Sequence, residues 1–86
     1  MSYVLTFANT HTAIFAEKAL LQAGYSVGVM PLPSSIKAGC GIALRVADYI
    51  ASNALLKENN IIVSTIYQTS ANSLGTEYSK VTLDEL

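Results

Sequence analysis

A chain of 86 residues with 51% hydrophobic and 13% charged side chains has room for one small core, not two, and enough apolar surface to argue against global disorder. Its formal net charge is −1, and its five Lys and Arg residues are spread singly, leaving no basic patch for a nucleic acid backbone. No stretch approaches the roughly 18 apolar residues of a membrane span, and the start lacks the basic and long apolar regions of a signal peptide, so a cytoplasmic protein is expected.

Tyr3 to Phe7 is β-branched and aromatic, which suits a buried first strand. Thr10 or Thr12 can cap a helix from about His11 to Gln22, in which Ala13, Ala16, Leu20 and Ala23 share a face before Gly24 stops it. Tyr25 to Met30 reads as a second strand that ends at Pro31-Leu32-Pro33, since proline cannot continue a central ladder. Ser34 to Gly41 is a loop of small residues, and Ile42 to Val46 is a third strand with Ala43 and Arg45 on one face.

Asp48 caps a second helix to about Glu58, with Ile50, Ala51, Ala54 and Leu55 expected inward and Asn59-Asn60 ending it. Ile61 to Tyr67 reads as the fourth strand. The polar run from Ser70 to Leu86 has no strong periodicity and reads as a loosely packed tail open to pairing with a partner, so the domain is placed at 1–69 and the tail at 70–86.

The resulting order, βαββαβ, predicts an α+β fold: a four-stranded antiparallel sheet with both helices on one face, the ferredoxin-like arrangement. In that topology the loop joining the second and third strands lies at the sheet end where the first helix begins. Cys40 is thereby expected near Thr10, His11 and Thr12.

Cys40 is the single cysteine, so no intrachain disulfide can form, and a secreted domain of this size would ordinarily carry several cysteines. Its neighbours Gly39 and Gly41 leave the sulfur unshielded and let backbone N–H groups approach, which points to an accessible thiol. A helix start nearby would favour the nucleophilic thiolate. The competing reading is a small apolar filler of the core.

His11 is the only histidine and could accept a proton from the thiol; it reads otherwise as an exposed first-turn residue. Arg45 is either a strand residue reaching to solvent or a contact for an anion. One cysteine and one histidine cannot complete a structural metal site, so no metal is expected, and no glycine motif or carboxylate pair implies a cofactor.

The opening strand before Thr10-His11, the helix segment Ala16-Glu17-Lys18-Ala19-Leu20, the Pro31-x-Pro33 turn, Cys40-Gly41-Ile42-Ala43-Leu44-Arg45 and the strand end Ile66-Tyr67 together resemble the selenium/sulfur carrier-like family of small domains. The resemblance covers roughly Tyr3 to Tyr67. It implies a cytosolic bacterial carrier whose Cys40 holds sulfur as a persulfide or selenium as a selenopersulfide, receives it from a cysteine desulfurase or another donor, and delivers it to an acceptor protein. Gly39, Cys40 and Gly41 match the family's thiol loop, whereas Ser34-Ser35 stands where a basic residue would be expected. Such a protein is a carrier more than a turnover enzyme. Two other readings compete: a non-catalytic module that binds a small molecule or regulates, as homo-oligomers of such sheets do, and a redox sensor whose cysteine pairs between chains.

Overall fold

The structure is a computed structural model describing residues 2–81. The chain runs β1 (Tyr3–Thr6), α1 (Thr10–Gln22), β2 (Gly28–Pro31), β3 (Ile42–Val46), α2 (Tyr49–Glu58), β4 (Thr65–Asn72) and β5 (Gly75–Val81). The strands form a 5-stranded antiparallel sheet in the order β2-β3-β1-β4-β5. The α+β class and the place of β3 between β1 and β2 agree with the sequence. The strand count does not, because residues read as tail form the end of β4 and all of β5.

Both helices cover one face of the sheet, where Leu5, Leu44, Val46 and Ile66 from the strands and Phe7 just after β1 meet Ala13, Ala16 and Leu20 of α1 and Leu56 of α2. Phe7, Leu5, Leu20, Leu44, Leu56 and Ile66 are fully buried, which accounts for the cohesion of so small a chain: each is worth roughly 1.5–3 kcal/mol of transfer free energy. The opposite face carries a smaller cluster of Val4, Ala43 and Ile36, flanked by Met30, Leu32, Tyr67 and Tyr78. Ile36 comes from the loop between β2 and β3, so that loop is folded under the sheet.

The cap of α1 is Asn9 and neither Thr10 nor Thr12: its Oδ1 accepts from the Thr12 backbone N–H at 2.8 Å and from Thr12 Oγ1 at 2.9 Å. Asparagine caps at least as well as threonine, and here it recruits Thr12 as a second donor. The helix ends as expected at Gly24, whose φ of +85° allows the Tyr25 N–H to reach Leu20 O and the Gly24 N–H to reach Leu21 O, a Schellman motif. That motif uses Tyr25, so β2 begins only at Gly28. Pro31 then fits within β2 because the strand lies at the sheet edge.

Asp48 caps α2 as expected, accepting from the Ala51 N–H at 3.0 Å. The inward face differs: Ser52 and Leu56 are buried while Ile50 is 56% exposed and Ala54 is exposed. A second Schellman motif at Asn60 (φ 60°), with Ile61 N–H on Leu56 O and Asn60 N–H on Lys57 O, turns the chain away early. Residues 61–64 therefore form a connector, joined to β1 by Ser64 N–H on Thr6 O, and β4 starts at Thr65 instead of Ile61. Among the described residues no helix is long and apolar enough to cross a membrane.

Candidate functional site

The register of β1 against β3, Leu5 opposite Leu44, carries the segment before Ile42 past the end of β1, toward the Ala8–Asn9 turn that starts α1. Gly39 makes the contact: a Cβ placed on it would lie 2.0 Å from the Ala8 carbonyl oxygen. Only a residue without a side chain can press this closely on backbone. The topology thus brings the Gly39-Cys40-Gly41 segment to the first turn of α1, as the strand order implied.

The orientation of the thiol is different from the expected one. Gly39 and Gly41 are exposed, but Cys40 is only 3% exposed and joins the core between sheet and helices. Its Sγ donates to the Ile42 carbonyl oxygen at 2.9 Å. Ile36 is held against the other face of the sheet, and a turn closed by Ile36 N–H on Pro33 O leads the chain into it. The long loop is therefore pinned at its middle by Ile36 beneath the sheet and near its end by Cys40 above it.

Thr10 and His11 are exposed on the first turn of α1. Thr10 does not cap the helix, and the hydrogen bond of Cys40 goes to Ile42 and not to His11. Arg45 lies on the face of the sheet opposite the helices, with its guanidinium over Gly28, where a Cβ would stand 3.5 Å from Nη2. It lies in β3, five residues after Cys40 and on the opposite face of the sheet from it. Among the described residues no group of three His, Cys, Asp or Glu side chains comes together to hold a metal ion.

Sequence reasoning missed the residues that β5 adds. Tyr78 stands opposite Thr69 and Lys80 opposite Tyr67, facing away from the helices. The available signal was Asn72-Ser73-Leu74-Gly75 followed by Thr76-Glu77-Tyr78-Ser79-Lys80-Val81, a turn and a β-prone run.

The fold and the sheltered thiol define a small α+β domain with one cysteine at the end of its sheet. A family model described as "Putative Se/S carrier protein-like" matches residues 2–68, and the chain belongs to that family. No curated protein matches the chain, and no solved structure does.

Proposed function

We propose that the protein carries sulfur or selenium on Cys40 as a persulfide or selenopersulfide and hands it to a partner protein. What supports this is a lone thiol in a glycine-flanked loop, held against the start of α1 through the Gly39–Ala8 contact, in a chain of a carrier-like family. In loading, the Cys40 thiolate attacks the outer sulfur of a donor persulfide such as that of a cysteine desulfurase. The donor S–S bond breaks, the donor leaves as thiolate, and Cys40 becomes S–SH with no net oxidation.

The resting thiol is buried, so loading and delivery proceed from a state in which the loop has swung out about its exposed glycines. Burial between transfers shields a reactive sulfur from oxidants. This reading goes with a ferredoxin-like, cytoplasmic domain in which His11, exposed on the neighbouring turn, receives the thiol proton once the loop is open. The direct test is intact mass after incubation with a cysteine desulfurase and free cysteine. The wild type gains the mass of one sulfur atom and Cys40→Ser does not; no gain under active donor conditions rejects the carrier.

The burial of Cys40 itself favours a second reading, in which the thiol is a core residue and the domain is a binding module. Under that reading Cys40→Ser leaves ligand binding intact.

A further inference from the structure

The face of the sheet turned away from the helices differs in charge from the rest of the molecule. Arg45 and Lys80 project from it, and Lys37 follows Ile36 in the loop folded beneath it. The described carboxylates lie elsewhere: Glu17 on α1, Asp48 and Glu58 at the two ends of α2, and Glu77 on β5 opposite Ser70, one residue out of phase with Tyr78 and Lys80. A protein of net charge −1 thus presents a cationic sheet face.

That face is also hollow. A cleft of about 270 Å³ is lined by Ser2, Val4, Met30, Arg45, Thr69 and Tyr78, with Ala71 and Thr76 at its far end. Ser2 and Thr69 satisfy one another: Thr69 Oγ1 donates to Ser2 O at 2.8 Å, and the two hydroxyls lie 2.6 Å apart. Arg45 has no carboxylate partner among the described residues, so its donors are free to take an anion. Val4, Met30 and the Tyr78 ring form an apolar wall beside it.

We propose that this cleft binds a small organic anion, its carboxylate on Arg45 and its apolar part against Val4, Met30 and Tyr78. The guanidinium fork matches a carboxylate, the volume suits a small metabolite, and the mixed lining distinguishes an organic acid from a bare inorganic ion. A second copy of the chain is a poor occupant. A twofold pairing of this face would gather Arg45 and Lys80 of both copies into one interface. Thr76 and Tyr78 lie beyond the family-matched residues 2–68. Cys40, in the core on the other face of the sheet, takes no part in this cleft.

The test is a titration of the full chain followed by amide NMR, with sodium benzoate and, separately, inorganic phosphate at constant ionic strength. Benzoate is expected to give saturable shifts centred on Gly28, Arg45, Thr69 and Tyr78, and to bind more tightly than phosphate. Arg45→Gln should weaken benzoate about tenfold or more, as loss of hydrogen bonds to a charged group implies, and Arg45→Lys should weaken it less. Lys57→Gln, on α2, and Cys40→Ser should leave it unchanged. Absence of saturable shifts, tighter binding of phosphate, an unaltered affinity in a well-dispersed Arg45→Gln spectrum, or self-association through these same residues would each overturn the proposal.

Discussion

Gly39 and Ala8, far apart in sequence, meet so closely that the 2.0 Å separation between a Cβ on Gly39 and the Ala8 carbonyl oxygen leaves room for hydrogen only. This contact ties the thiol loop to the turn that starts α1. Replacing Gly39 with alanine forces one backbone segment away from the other, at a cost of about 2–3 kcal/mol by analogy with overpacked cores. Gly41→Ala meets nothing within 4 Å and should cost less than about 1 kcal/mol. Denaturant midpoints of the two variants measure the difference, and equal midpoints would refute the pinning role of Gly39.

The same contact is expected to govern how often Cys40 reaches solvent. The thiol is 3% exposed, so alkylation of the native protein should proceed through loop opening and lag well behind that of the unfolded chain. Gly39→Ala, with its anchor weakened, should react faster than wild type under conditions where both remain folded. Alkylation rates by intact mass decide the point. A native thiol that reacts as fast as an unfolded one would show that the sulfur is not sheltered in solution.

What the sequence made legible was local chemistry. Gly24 and Asp48 announced a helix end and a helix start, and both act as expected, because stop and cap signals depend on a single residue's backbone freedom or side-chain oxygen. The inward face of α2 was misread for a different reason. Ile50 and Ala54 are apolar but exposed while Ser52 is buried, and helix rotation is fixed by the partner surface, which one helix does not encode. β5 escaped notice because Thr76, Glu77, Ser79 and Lys80 bury little. It is held through pairing with β4, a partnership that composition does not advertise. For Cys40, the flanking glycines suggested exposure, yet Gly39 serves a close backbone approach to Ala8 and the sulfur faces the core.

Apart from Val81, which packs partly against it, the main core is built from residues that precede Tyr67, so a chain ending at Thr69 should fold alone. It loses the β4–β5 hairpin and the partial cover of Tyr78 and Val81, with an expected drop of about 1–3 kcal/mol. Cooperative thermal unfolding of the truncated chain, with the far-ultraviolet signature of both helices, is the expected result. A chain that fails to fold would place β5 within the indivisible unit. The truncation should also abolish benzoate binding if the far wall of the cleft is required.

Asn60 holds a left-handed φ of 60°, closing the motif that turns the chain from α2 into the connector to β4. Asparagine tolerates this conformation better than most residues, glycine better still, and a side chain branched at Cβ worst. Asn60→Gly should therefore be neutral or stabilising by up to about 0.5 kcal/mol, whereas Asn60→Val should cost about 1–2 kcal/mol. The sign of the glycine variant is the informative outcome, because Asn60 is exposed and little packing is lost on truncation. A clearly destabilised Asn60→Gly, read from its denaturant midpoint, would mean that the side chain and not the backbone angle sets the turn.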